Sequence, residues 1–449
     1  TMERKDIENQ DSTLAQELRA FAEKGYVGDR YGVDGGFVLR RITDDQDRQK
    51  HFFMFGAMGL GGRGAYALDL SKINENYPAA APLFDVKNGD KNGKNRVEVE
   101  LGYTVGTPQI GKIRNGKYAA FLASGYAAKD IDSQENKTAL YVYDLKDTLG
   151  TPITKIDVPG GKGGLSSPTL VDKDLDGIVD IAYAGDRGGN MYRFDLSDND
   201  PNKWTVRTIF QGTKPITSAP AVSRLADKRV VIFGTGSDLS EQDVLDTEEQ
   251  YIYGIFDDDN RTVNVKVTNG TGGGLLEQVL SEENNTLFLS NNKASGGSNG
   301  KGWVVKLREG ERVTVKPTVV LRTAFVTIRK YTGNDKCGAQ TAILGINTAD
   351  GGALTPRSAR PIVPEANKDV AQYSGHKKTA DGKSVPIGCM WKNGKTACPN
   401  GYVYDKPVNV RYLDEKKTDD FPVTADGDAG GSGTFKEGKK PARNNRCFS

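Results

Sequence analysis

The sequence predicts an all-β protein, a modified β-propeller of about seven blades with a short N-terminal helix and long loop insertions. Three observations predict it. Strand-like apolar runs recur along the chain in pairs, the second member of each pair carries a repeated Tyr/Asp pattern, and helical periodicity is confined to one segment.

That segment comes first. In "DSTLAQELRAFAEKG", Leu14, Leu18, Phe21 and Ala22 fall on one helical face and Gly25 can end the helix, so residues 1–25 are expected to form a helical segment ahead of a propeller over 26–449. Strand runs follow at Phe52 to Met58, Tyr118 to Ser124, Ile178 to Ala184 and Val230 to Gly234. Their partners are "AYALDL" from Ala65, "LYVYDL" from Leu140, "MYRFDL" from Met191 and "YIYGIFD" from Tyr251. Tyr66, Tyr141 and Tyr192 precede Asp69, Asp144 and Asp195 by one common spacing, and Tyr253 and Asp257 fit with a residue inserted. Such a Tyr marks a repeated packing position, and stacked repeats bury what a single one cannot; Tyr-rich strands of a β-sandwich that coincide by chance are the plain alternative. Further blades are expected from Gly302 to Leu307 and Ala342 to Ile346. The stretches "DVKNGDKNGKNR" and "SNNKASGGSNGKG" read as hairpin loops, and about 367–446, rich in Lys, Asp and Gly, reads as an exposed insertion or tail.

Composition narrows the function. With 61 basic and 59 acidic residues the formal charge is +2, which gives no global attraction to nucleic acid or anionic membrane. No apolar run reaches about 18 residues and no leader-like segment opens the sequence, so neither a membrane span nor an export address is expected within it. The four cysteines, Cys337, Cys389, Cys398 and Cys447, suit disulfides in an exported protein. Cys389 and Cys398 bracket "CMWKNGKTAC", whose Asn393-Gly394 can turn a hairpin, and are the expected pair. A zinc site would need paired C-x2-C spacing, which is absent.

The densest chemistry lies in "VDKDLDGIVD". Asp172, Asp174 and Asp176 occupy positions 1, 3 and 5 of a loop, Gly177 can take the positive φ that turns the chain, Ile178 can offer its carbonyl, and Asp180 stands at position 9. This is the first half of an EF-hand loop without its final glutamate, since Tyr183 stands there. Crowded carboxylates repel unless neutralised, so Ca2+ is the expected ligand; magnesium prefers more water, and an acidic turn held by Asx hydrogen bonds is the plain alternative.

Other constellations point away from catalysis, and no catalytic or organic-cofactor site is expected. Gly59, Gly61 and Gly64 match G-x-G-x-x-G but lead into a strand, whereas a dinucleotide site needs a helix. His51 reads as a satisfied structural residue, no G-x-S-x-G elbow occurs, and Asp257 to Asp259 read as solvated carboxylates ending a strand. A quinone-dependent propeller would also use calcium, but Trp204, Trp303 and Trp391 form no repeated motif.

The stretch "GGLSSPTLVDKDLDGIVDIAYAGDRGGNMYRFDLS", with "YGVDGGFVLR", "GGRGAYALDL", "KPITSAPAV" and "VVIFGTGSDLS", closely resembles the PilC/PilY family of type IV pilus-associated proteins, its neisserial PilC members above all. The likeness runs from about Tyr26 onward, and the "YAGDxxGNxYRFDL" block beside the acidic loop is its most specific part. It implies a C-terminal propeller with a calcium site on Asp172, Asp174, Asp176, the Ile178 carbonyl and Asp180, and a separate N-terminal adhesive domain not expected in this chain. An RGD tripeptide found in some relatives is absent.

The implied function is calcium-dependent pilus biogenesis that opposes retraction and supports host-cell attachment. The implied location is exported, at the outer membrane, cell surface or pilus tip. Its partners would be type IV pilus subunits or tip components, with a host receptor met chiefly through the N-terminal domain; neither nucleic acid nor a direct membrane span is implied. A calcium-dependent lectin or receptor-binding propeller is the alternative, and a quinoprotein-like oxidoreductase a more distant one.

Overall fold

The computed structural model describes residues 13–25, 31–73, 78–92, 97–126, 137–260, 262–283, 286–294, 300–320, 322–333 and 338–354, with the backbone of short strands between 376 and 424. The chain divides into two compact units, 1–208 (with Ser449) and 209–448.

The first unit opens with the expected helix, Leu14–Lys24. A capping box starts it: the Thr13 hydroxyl accepts from the Gln16 N–H at 3.2 Å, and the Gln16 side chain accepts from the Thr13 N–H at 2.7 Å. Gly25 ends it, donating its N–H to the Phe21 carbonyl. Two antiparallel sheets follow, each of four strands joined in sequence: Phe37–Thr43, Gln49–Ala57, Gly64–Asp69 and Pro82–Lys87, then Gln109–Lys112, Tyr118–Ala123, Ala139–Asp144 and Pro152–Asp157. A third sheet runs through Thr169–Val171, Ile181–Gly185 and Asn190–Asp195 to Thr205–Gln211, the strand that carries the chain into the second unit. The repeated Tyr/Asp pattern is therefore the third strand of three successive sheets.

Packing between sheets explains why these strands are apolar almost throughout. Phe55, Phe84, Tyr141 and Tyr143 belong to one buried cluster drawn from the first and second sheets. Phe121, Val142, Tyr192 and Phe194 belong to another, drawn from the second and third. Neighbouring side chains of Ala139–Asp144 thus enter different cores, so the strand is buried on both faces and alternation disappears.

In the second unit, Ala221–Arg224, Arg229–Gly234, Tyr251–Asp257 and Gly302–Lys306 form another antiparallel run, and Leu276–Glu283 joins it in parallel against Gly302–Lys306. Thr318–Val320, Thr323–Thr332 and Gly338–Asn347 make a further antiparallel sheet. Five sheets of three or more strands lie among the described residues. The hairpin Met390–Lys392 with Lys395–Pro399 is present in the backbone, while the expected Cys389–Cys398 bridge and most of 367–446 lie outside the described residues. Among the described residues no helix is long and apolar enough to cross a membrane.

Two readings of the sequence gain a physical reason and one is corrected. Gly59 and Gly61 lead into Gly64–Asp69, a strand, and a Cβ on Gly61 would stand 1.6 Å from the Gly32 carbonyl oxygen, so this glycine lets two backbones meet. His51 is satisfied: its Nδ1 lies 2.8 Å from Asp69 Oδ2 and its ring stacks on Phe53. Asp257 is not solvated. It is fully buried, with Arg229 at 3.8 Å, and Arg229 also pairs with Asp259. Burial at a strand end was open to this aspartate because an arginine one strand away supplies the countercharge.

Candidate metal centre

The acidic loop joins Thr169–Val171 to Ile181–Gly185, which pair antiparallel with Val171 opposite Ile181. Between them the chain must reverse, and it does so with Leu175 at φ 62° and Gly177 at φ 86°. Carboxylates hold the turn from inside. Asp172 Oδ2 accepts the Gly177 N–H at 2.7 Å, Asp176 Oδ1 accepts the Ile178 N–H at 2.8 Å, and Asp174 Oδ1 receives a long contact from the Asp176 N–H at 3.4 Å.

These bonds gather three of the five residues read from the sequence. One carboxylate oxygen each from Asp172, Asp174 and Asp176 lies within 4.8 Å of the others. Asp172 Oδ1 is buried and accepts no hydrogen bond from any described residue. A buried carboxylate oxygen without a donor is costly, and hard, anionic oxygens are what calcium takes, so the donor set fits that ion. The Ile178 N–H bond held by Asp176, with Arg114 adding to it, keeps the Asp176 carboxyl below the usual carboxylate range against desolvation.

Asp180 and Ile178 are placed differently. Asp180 is fully buried and stands outside the triad: its Oδ2 accepts the Lys173 N–H at 2.9 Å and its Oδ1 accepts from Arg114 Nη2 at 2.5 Å. Ile178 is half-buried where the loop meets the second sheet, in a parallel bridge to Lys112, and the next N–H, of Val179, donates to the Lys112 carbonyl at 2.8 Å.

Arg114 is the residue sequence reading missed. It follows the strand Gln109–Lys112 and sends its guanidinium between two carboxylates, Nη1 reaching Asp176 Oδ2 at 2.7 Å. Those bonds, to Asp176 first and then Asp180, hold the guanidinium more firmly protonated than usual. No local pattern betrays it, because it lies 62 residues from Asp176 and reads as an ordinary basic residue before an Asn-Gly turn.

The "YAGDRGGN" block sits at the far end of Ile181–Gly185, about 17 Å along a five-residue strand from the acidic loop. There Asp186, fully buried, accepts from the Lys162 N–H at 2.9 Å, the Asn190 N–H at 2.9 Å and the Tyr192 hydroxyl at 2.5 Å. Burial is the main influence on its carboxyl and raises it above the usual range despite those bonds. This aspartate ties a turn to its sheet.

A family model described as the PilY1 beta-propeller domain matches residues 1–293. The chain belongs to the PilY1 β-propeller family. The type IV pilus biogenesis factor PilY1 of Pseudomonas aeruginosa (strain UCBPP-PA14) is 31% identical over 281 residues, covering 54% of this chain and 23% of the relative. A PilY1 homolog of Xylella fastidiosa (strain Temecula1 / ATCC 700964) is 26% identical over 361 residues, 75% of this chain and 27% of the relative. The chain thus spans about a quarter of the length of the curated relatives it matches. The crystal structure of the Pseudomonas aeruginosa PilY1 C-terminal domain shares the fold, with a TM-score of 0.63 at 22% identity over 88% of this chain and 83% of that one.

Proposed function

We propose that the chain is the calcium-binding propeller of a type IV pilus biogenesis factor, one that opposes pilus retraction and supports attachment to host cells. It acts by binding rather than by catalysis, and works outside the cytoplasm, at the outer membrane, cell surface or pilus tip, with pilus subunits or tip components as partners. Family membership and the relatives' role in pilus biogenesis support the setting. The observation that carries the calcium reading is the triad Asp172, Asp174 and Asp176 with its unpartnered oxygen. Without the position-12 glutamate the affinity should fall between about micromolar and millimolar, the range of sensors and extracellular modules.

Calcium would supply positive charge that cancels the repulsion among the carboxylates. The chain's own residues carry that change outward from the loop. Asp172 and Asp176 hold the Gly177 and Ile178 amides, so ordering their carboxylates fixes the loop, and Val179 transmits that order to Lys112 on the second sheet. Two loop arrangements of differing stability would let the ion bias how the protein engages the pilus. The test is Asp176→Ala in the full-length protein: fewer surface pili in cells with a working retraction motor, and recovery in cells lacking it. If the substitution abolishes calcium binding yet leaves pilus number and attachment unchanged, the ion is a staple and the regulatory reading fails.

A further inference from the structure

Arg114 pairs with one carboxylate of the triad, Asp176, and with Asp180 beside it. Its two terminal nitrogens are taken by Asp176 Oδ2 and Asp180 Oδ1, at 2.7 and 2.5 Å, and its side chain stays partly open to solvent. Asp180 has both oxygens occupied, one by Arg114 and one by the Lys173 N–H, and it lies outside the triad.

We propose that Arg114 is an internal counter-cation: it holds the acidic loop in its ion-free arrangement, keeps Asp180 out of the metal sphere, and thereby sets the calcium affinity and the free calcium level at which the loop changes state. The inference rests on the calcium reading of the triad. Its sign comes from charge. An ion about 2.4 Å from an Asp176 oxygen would sit roughly 5–6 Å from the guanidinium. A unit charge repels a divalent ion at that separation by an amount that weakens binding roughly tenfold even in a water-like dielectric. The same guanidinium stabilises the empty loop by pairing with carboxylates that would otherwise repel, so it lowers affinity from both sides of the equilibrium. Because it follows the strand whose Lys112 carbonyl accepts from Val179, its release from Asp180 would also free the second sheet's turn.

Calorimetric titration of calcium chloride into the purified chain tests this, comparing wild type with Arg114→Gln, Arg114→Lys and, as the site control, Asp172→Asn. Arg114→Gln should bind about tenfold more tightly, melt lower in chelator, and gain more from calcium than wild type does. Arg114→Lys, which keeps the charge, should stay within about threefold of wild type. If Asp172→Asn abolishes binding while Arg114→Gln binds equally or more weakly, the calcium reading stands and the counter-cation is refuted. If neither wild type nor Arg114→Gln binds at about 10 mM calcium, above the weakest known extracellular modules, both readings fall.

Discussion

Gly254 occupies the position that sets the fourth Tyr/Asp run apart from the others, and one methyl group there should be among the costliest changes in the second unit. It lies in Tyr251–Asp257 directly opposite Trp303. A Cβ added to it would stand 2.1 Å from indole Cε2, 2.4 Å from Cζ2 and 2.5 Å from Nε1. Carbon contacts are comfortable only near 3.5–4.0 Å, so the ring would have to retreat by ~1.4 Å or more. It has nowhere to go: Trp303 is fully buried, its indole N–H donates to the Thr348 carbonyl at 2.9 Å, and a Cβ on Gly351 would lie 2.6 Å from indole Cε3. Overpacking of this kind costs roughly 1–3 kcal/mol. Losing the buried indole bond adds about 1–3 kcal/mol, so Gly254→Ala should destabilise by about 2–6 kcal/mol. Urea unfolding followed by tryptophan fluorescence measures it, with Gly32→Ala as the control, since nothing lies within 4 Å of that position and a change under about 0.5 kcal/mol is expected. A Gly254→Ala midpoint equal to wild type would mean that Trp303 does not pack against this strand as the structure has it.

Three further outcomes are expected. Asp186→Ala leaves the Tyr192 hydroxyl and the Lys162 and Asn190 N–H groups without their acceptor, and should cost about 2–4 kcal/mol in chemical denaturation; a loss below about 0.5 kcal/mol would show that the turn is not tied by this residue. Asp69 is desolvated, which favours the neutral acid, yet bonds from Ser71, His51 and the Phe52 N–H outweigh this and hold its carboxyl below the usual range. Its folded pKa is the lower one, so its contribution is present above about pH 4 and lost as pH falls through the folded value; Asp69→Asn should flatten acid unfolding curves in that window, and an unchanged slope would contradict the assignment. Chelator should leave the strand signal in circular dichroism intact, because the buried clusters around Phe55, Tyr192 and Val326 carry the fold, while cleavage within 172–180 by added protease increases. Loss of the strand signal would make the ion part of the core.

What the sequence revealed was local. The helix start, the positive φ at Gly177 and the clustering of Asp172, Asp174 and Asp176 all arise from residues within a few positions of one another. The repeated third strands were legible for a different reason: each packs between neighbours, so each keeps an apolar run ending in a polar residue. What stayed hidden was set by distant partners. Arg312 is buried and donates to the carbonyls of Ser237 at 3.0 Å and Asp246 at 2.6 Å, closing the end of the short helix Glu241–Leu245, although it reads as a surface arginine. Asp257 and Arg114 belong to the same class, since a carboxylate is buried at low cost only once tertiary structure supplies the opposite charge. Asp180 shows the limit most clearly: its spacing from Asp172 fits a calcium loop, yet its orientation is governed by an arginine from another sheet.

The most direct test of the calcium centre is anomalous diffraction from crystals of the chain grown with and without calcium. The expected result is a single peak about 2.3–2.6 Å from carboxylate oxygens of Asp172, Asp174 and Asp176, absent from Asp172→Asn crystals. A loop with no peak in calcium-saturated crystals, its Asp172 oxygen satisfied by a hydrogen-bond donor instead, would contradict it.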